Sequence, residues 1–490
     1  MFKSKTFWLL VVILIIATFF RFYQIKTIPP GLYPDEAMNG NNALEALHTG
    51  QFKVFYPENN GREGLLINVQ ALFLKIFGAN EPWVLRLPSA IFGVLTVLGL
   101  YLLAAELFSK NIGLLSAFLL AASFWHINFS RIGFRAILAP LLLTWALYFL
   151  LKAFRNARPK SYILNSIFSG IIYGLGFYTY IAYRVTPLLI LFIAVYFWKR
   201  SGDKERRKVV LLSTSCFLLS TFLIALPIGI YFLRNPADFL GRTSQISIFS
   251  SATPLRDLGL NILKTAGMFN VRGDYNWRHN YAGQPELFWP VGLLFLFGIV
   301  VGLKKILRAK ESGDSNRFPP LLIFLWMIFA AIPVVISNEG MPHALRSILL
   351  IPPAIMLAGI GGRAAYETLK NRVKSFLLRT AAIIFLTLLV FETYSAYFFS
   401  WAKNPNTRDA FSADYVEIGR AILNLPASTP KYVVVEAPGV LVRGIPMPAQ
   451  TVMFITDTFL PQNQIAKNVH YVLPDQEKSV PADAIKFYLK

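Results

Sequence analysis

Asp35 and Glu36 stand side by side in Tyr33-Pro-Asp-Glu, just past the first apolar run of the chain. Adjacent carboxylates at a membrane boundary are costly if desolvated and idle if solvated, so they are candidates for proton transfer. Asp35 can also act as a helix cap, accepting from the backbone at Met38 while residues 37–47 form a surface helix. In the same segment Glu58, Arg62 and Glu63 precede an apolar helix expected at 65–77, and Arg86 opens the next span in Arg-Leu-Pro-Ser-Ala. Arg86 can snorkel to lipid headgroups as readily as it can bind a ligand. Arg131 and Arg135 fall four apart and share a face if helical. Tyr183-Arg184, Arg278-His279 and the pair His343 and Arg346 complete the polar clusters, although a histidine at an interface is more often structural.

Guanidinium groups bind phosphate bidentately, and arginines expected on the outer side run against the usual inside bias of positive charge. No GxxxxGK[ST] or GxGxxG loop is present, so the activated group must come from a source other than a nucleotide held in such a loop. These features fit reaction of a phosphate ester carried by a lipid, such as a sugar on a polyprenyl phosphate. The phosphate is already a good leaving group, so charge stabilisation can replace the general acid of an ordinary glycosidase. One carboxylate then suffices to take the proton from an acceptor hydroxyl, and in-line displacement inverts the sugar. Asp35 is the first choice for that base and Glu36 the second. Arg62, Arg86, Arg131, Arg135 and Arg184 exceed the needs of one phosphate, so some are structural.

The elements that must hold these residues are helices in a membrane. Of 490 residues 55% are hydrophobic and only 15% charged, which excludes disorder, coiled coil and collagen. After the first run at 7–20, which the polar stretch beyond Arg21 marks as a retained span, apolar runs of roughly the ~20 residues needed to cross hydrocarbon recur. They lie near 84–108, 111–129, 136–154, 162–181, 184–198, 209–233, 287–303, 319–337, 345–362 and 376–399, giving about eleven spans. With the N-terminus in the cytoplasm, the connectors 152–160, 199–208, 304–317 and 363–379 are inside and rich in Lys and Arg. That sidedness absorbs the net charge of +22, and nucleic acid is not needed to explain it. The single Cys216 rules out a disulfide within the chain and a cysteine metal cluster. Outer segments are expected at 26–82 and 234–286. A tail at 401–490 reads as a small α/β appendage, with a helix at 413–424 and strand-like runs at 432–435 and 451–455.

Tyr-Pro-Asp-Glu at 33–36, Glu58 to Glu63 before an apolar helix, Arg-Leu-Pro-Ser-Ala at 86–90 and Phe-Ser-Arg-Ile-Gly-Phe-Arg at 129–135 together resemble the dolichyl-phosphate-mannose protein mannosyltransferase and aminoarabinose transferase group. These are GT-C glycosyltransferases, family 39 in the broad sense. The resemblance extends over about residues 5–400 through Tyr178-Thr-Tyr-Ile-Ala-Tyr-Arg, Trp277-Arg-His-Asn-Tyr-Ala-Gly-Gln-Pro and Pro342-His-Ala-Leu-Arg. It implies an all-α polytopic membrane domain at 1–400 with helices lying in the first outer loop, at about 39–48 and 64–78, and a lipid-phosphate sugar donor. It implies that Asp35 is the base, that Glu36 helps position substrate, and that Arg86 supports the loop or the lipid phosphate. Donor and acceptor contacts would come from Glu58, Arg62, Glu63, Arg86, Arg131, Arg135, Tyr183, Arg184, Arg278, His279, His343 and Arg346. The sequence departs from the aminoarabinose enzymes where Arg62-Glu63-Gly64 replaces a lysine and two prolines, and no room is left for the soluble module of the mannosyltransferases. The acceptor is thus a protein, lipid or glycan at the outer face of a cell membrane. No cofactor is firmly indicated; a divalent cation bound through Glu63 with His279 is compatible with the chemistry, but the sequence gives no ligand spacing that supports it. The competing readings are a transporter or flippase of lipid-linked sugars and a non-catalytic lipid-binding scaffold; the first calls for polar groups at mid-membrane, whereas most charges here sit at span ends.

Overall fold

The computed structural model describes residues 5–156, 158–245, 248–312, 317–338 and 340–490. The cytoplasmic connector expected at 304–317 therefore falls partly outside the described residues. Those residues form two compact units: the described residues within 5–23, 91–130 and 136–397 make the first, and residues 24–90, 131–135 and 398–490 the second.

The first unit is helical and apolar. Nine described helices, counting the one that begins at Pro82, are by length and composition able to cross a membrane. Ile348–Lys370 is the most enclosed, with 78% of its most apolar stretch buried, whereas Lys5–Phe22 and Ser375–Trp401 bury 22% and 17% and leave large apolar side chains such as Leu9, Ile15, Ile383 and Leu388 exposed. An apolar face without a protein neighbour is what lipid-facing helices require. Trp289–Ser312 packs closely on Ile351–Lys370 because glycines meet at the crossing: a Cβ on Gly298 would lie 1.9 Å from the Leu357 carbonyl, and one on Gly361 1.9 Å from that of Leu294. Two expected spans fall outside the nine. The one at 111–129 is split into Lys110–Ala121 and Phe124–Phe129, the second helix capped by Ser123, and the one at 162–181 is the helix Pro159–Gly176, diluted by Ser161, Asn165, Ser166 and Ser169.

In the second unit the helix Pro34–Thr49 packs against Leu65–Phe77 and Ala449–Thr456. Residues 36–44 are all buried, so the helix expected on the surface is an interior one. A short hairpin precedes Leu65–Phe77, pairing Phe55 with Glu63 and Tyr56 with Arg62. Its turn needs positive φ at Asn59, Asn60 and Gly61, residue types that tolerate the left-handed region. The C-terminal part holds a parallel sheet in the order Val469–Val472, Lys431–Val435, Ile485–Leu489, beside the expected helix at Ala413–Leu423. The run 451–455, expected as a strand, belongs to the helix Ala449–Thr456. All eight residues of that helix are buried, and a short apolar run carries no period that separates a buried helix from a buried strand.

Candidate active site

Asp35 is the second residue of Pro34–Thr49, and the cap position belongs to Tyr33, which makes no side-chain capping bond. The capping role considered for Asp35 is therefore not the one it has. A proline at the first helical position suits the helix start, and a carboxylate in the first turn is favoured by the helix dipole. Successive helical residues are separated by 100°, so Asp35 and Glu36 face different surroundings. Asp35 shares its face with Asn39 and Asn42 by the i, i+4, i+7 rule.

Glu36 points inward and is fully buried. Its Oε2 accepts from Arg86 Nε at 3.0 Å and from the Gly133 backbone N–H at 2.7 Å, and its Oε1 from Arg86 Nη2 at 3.2 Å. Arg86, equally buried, also donates to the carbonyls of Pro29 at 2.7 Å and Gly31 at 2.9 Å. The pair thus stitches the chain before the helix to the start of the Pro82–Leu107 helix. Its charges are matched and its polar atoms satisfied, as burial demands. Asp35 is half-buried and accepts one hydrogen bond, from Asn59 Nδ2 at 2.6 Å, with no ion-pair partner among the described residues.

Arg62 lies along the asparagine stripe. Its Nη1 donates to Asn39 Oδ1 at 2.7 Å and its Nη2 to Asn42 Oδ1. Asn39 in turn donates to the Gly133 carbonyl at 2.9 Å, and Asn42 to Glu58 Oε2 at 3.0 Å. Burial, then the nearby charge of Arg135, lowers the Arg62 pKa to about 10, while Asp35 and Glu58 pull the other way; the guanidinium remains protonated at neutral pH. Arg135 pairs with buried Glu63 at 2.7 Å. Arg131 is buried, donates to the Ile28 carbonyl at 2.8 Å and lies over the Phe398 ring.

The sequence reading missed Arg443. Its Nε donates to Glu58 Oε1 at 2.7 Å and its Nη2 to Glu45 Oε1 at 2.8 Å. Burial pushes the Glu58 carboxyl up, but hydrogen bonds from Arg443 and Asn42 outweigh it and hold the group below its usual range. Asn39 and Asn42 were missed as well, although their spacing from Asp35 in Asp-Glu-Ala-Met-Asn-Gly-Asn-Asn was a readable signal.

The remaining expected site residues lie in the first unit. Asp274 Oδ2 accepts from His279 Nδ1 at 2.9 Å and from the Ala344 N–H at 2.8 Å, with His343 Nδ1 at 3.8 Å. Burial lowers the His279 pKa, against the opposite pull of Asp274, so the ring is neutral at neutral pH and donates through Nδ1. Among the described residues, Asp274, His279 and His343 are the group able to hold a metal, their ligand atoms lying within 4.8 Å of one another. Glu63, considered earlier as a ligand with His279, is ion-paired to Arg135. Burial lowers the Arg278 pKa to about 10; its Nε donates to Asn276 Oδ1 at 3.1 Å. Arg346 donates to Ser337 Oγ. Tyr183 is buried against Tyr173 and Phe177, and Arg184 lies over the Phe239 ring and donates to the Phe239 carbonyl at 2.9 Å.

A family model described as dolichyl-phosphate-mannose-protein mannosyltransferase matches residues 66–231. The Archaeoglobus fulgidus oligosaccharyltransferase tethered to an acceptor peptide aligns over 97% of this chain and 64% of its own, with 15% identity and a TM-score of 0.57. ArnT from Cupriavidus metallidurans bound to undecaprenyl phosphate aligns over 99% of this chain and 90% of its own, with 16% identity and a TM-score of 0.56. This is the GT-C fold. Another archaeal structure, AglB from A. fulgidus with an inhibitory peptide and a dolichol-phosphate, aligns over 92% of this chain and 64% of its own, with 15% identity and a TM-score of 0.55. The GT-C chain described here thus spans just under two thirds of the length of these archaeal proteins. No curated protein sequence matches it.

Proposed function

We propose that this protein is an integral membrane glycosyltransferase that moves one sugar from a polyprenyl-phosphate carrier to an acceptor hydroxyl on the extracytoplasmic face, with inversion. The acceptor oxygen attacks the anomeric carbon, the bond from that carbon to the phosphate oxygen breaks, and the lipid phosphate leaves with the electron pair. Asp35 receives the hydroxyl proton. Arg62, with Arg135 beside it, offsets the negative charge that develops on the phosphate. Glu36 and Arg86 position the first turn of the helix that carries Asp35.

The observation that carries this reading is the division of labour between neighbours. Glu36 has both oxygens engaged in a buried pair, whereas Asp35 is half-buried, holds a single hydrogen bond among the described residues and lies beside a buried guanidinium. Support also comes from the GT-C fold, in which one structural neighbour holds undecaprenyl phosphate and another dolichol-phosphate. About eleven spans, an inside N-terminus and an outside tail complete the proposed topology. The test is transfer from a labelled polyprenyl-phosphate sugar by purified protein in sealed vesicles. A glycosylated product is expected; translocated but unreacted lipid-linked sugar would make the protein a flippase, and neither would make it a scaffold.

A further inference from the structure

Within the second unit, the C-terminal part meets the surroundings of Asp35 through one hairpin turn. Leu441 pairs with Pro446 and Val442 with Ile445, and the two residues between them, Arg443 and Gly444, have φ of +52° and +84°. Positive φ at both central positions gives the turn whose twist suits a hairpin, so the backbone beneath Arg443 is well fixed. The guanidinium lies 4.2 Å from the centre of the Phe459 ring, which restrains the side chain further. From there Nε donates to Glu58 Oε1 at 2.7 Å, and Nη2 donates to Glu45 Oε1 and Oε2 at 2.8 and 3.0 Å.

The carboxylate held in this way stands close to Arg62. Glu58 Oε2 accepts from Asn42 Nδ2 at 3.0 Å, and Asn42 Oδ1 accepts from Arg62 Nη2. A single amide side chain therefore separates the Glu58 carboxylate from the Arg62 guanidinium. Each charge already moves the pKa of the other in the direction of an ion pair. Arg62 is buried, donates to the neutral acceptors Asn39 and Asn42, and has no ion-pair partner among the described residues. A buried cation without a counter-ion strongly attracts an anion that can reach it. Asp35, the other acid near Arg62, accepts from Asn59, the residue that follows Glu58. The Glu58 side chain is 27% exposed and has room to turn once its clamp is gone. Pairing with Arg62 would then cancel the charge that a phosphate needs.

We propose that Arg443 is a positioning residue of the Asp35 site: by holding Glu58 off Arg62, it keeps the Arg62 guanidinium available to the phosphate of a lipid donor. The proposal rests on the assignment of Arg62 to that phosphate. It gives the C-terminal part a task in donor binding, exerted through Glu58 and without contact between Arg443 and the donor.

The test is a double-mutant cycle on the full-length protein in detergent. It is read as the dissociation constant for undecaprenyl phosphate and, in parallel, as KM and kcat with a labelled polyprenyl-phosphate sugar. Arg443→Ala should weaken binding of undecaprenyl phosphate by about tenfold or more, with KM rising alongside. In a Glu58→Gln background, where no competing charge remains, the same substitution should cost less than about threefold. Thermal unfolding identifies the folded variants; if Arg443→Ala does not fold, Arg443→Met, which keeps a stem over Phe459, carries the cycle. Unchanged binding by a folded Arg443 variant would overturn the proposal. So would an equal loss in both backgrounds, the result expected if Arg443 only supports the fold or contacts the phosphate itself. If the coupling appears but the parent transfers no sugar, the glycosyltransferase reading fails and this inference stands. If the parent transfers sugar and the losses are equal, this inference fails alone, and a parent that does not bind undecaprenyl phosphate overturns both.

Discussion

Replacing Arg86 with alanine separates two roles that a buried arginine beside a catalytic loop can have. Neither side chain of the Arg86–Glu36 pair is more than 1% exposed. Removing the guanidinium leaves the Glu36 carboxylate with the Gly133 N–H alone and strips donors from the carbonyls of Pro29 and Gly31. Breaking one side of a buried ion pair costs ~3–5 kcal/mol, because the surviving charge stays desolvated. At ~2–4 °C per kcal/mol for a domain of ordinary size, the melting temperature should fall by on the order of 10 °C. Thermal unfolding in detergent, with transfer measured on the protein that stays folded, is the assay. Turnover should fall because the first turn holding Asp35 loses its anchor, while the KM for the lipid donor stays near the parent value. Glu36→Leu with Arg86→Met removes both charges and should recover much of the stability. A stable Arg86→Ala protein with a raised donor KM would refute the reasoning and make Arg86 a phosphate ligand.

Three further outcomes follow from the geometry. Arg62→Lys cannot fork across Asn39 and Asn42, so a folded variant should lose roughly tenfold or more in transfer rate, corresponding to one charged hydrogen bond of ~1.5 kcal/mol; an unchanged rate would remove Arg62 from the site. Because Glu58 ionises below 4.5 in the folded protein, its stabilisation is present above that pH and lost as the pH falls through the folded value. The melting temperature gap between parent and Arg443→Ala should therefore be steady near neutrality and close in acid; a gap that widens in acid would contradict the assignment. Gly31→Ala should destabilise by more than ~1 kcal/mol, since φ is +67° and a Cβ would lie 2.4 Å from the Phe411 carbonyl oxygen.

The helical membrane architecture was legible because long apolar runs are a local signal. So was the polar cluster around Asp35. What composition could not reveal was which of two adjacent acids is committed to structure, since that depends on Arg86, fifty residues away, and on Gly133, ninety-seven away. Arg443 lies 385 residues from Glu58, and nothing in the hydropathy of the tail points to that contact. The misread run at 451–455 has the same origin: burial on all sides erases the period that distinguishes helix from strand. The asparagine stripe, by contrast, was present in the spacing and needed only to be read as one face of a helix.

The most direct test of the central claim is the rate of sugar transfer by Asp35→Asn. The amide keeps the size of the side chain and its acceptor oxygen for Asn59, so the melting temperature should match the parent. Loss of a positioned base should reduce transfer by ~100- to 10,000-fold. A folded Asp35→Asn protein that transfers sugar at the parent rate would contradict the account.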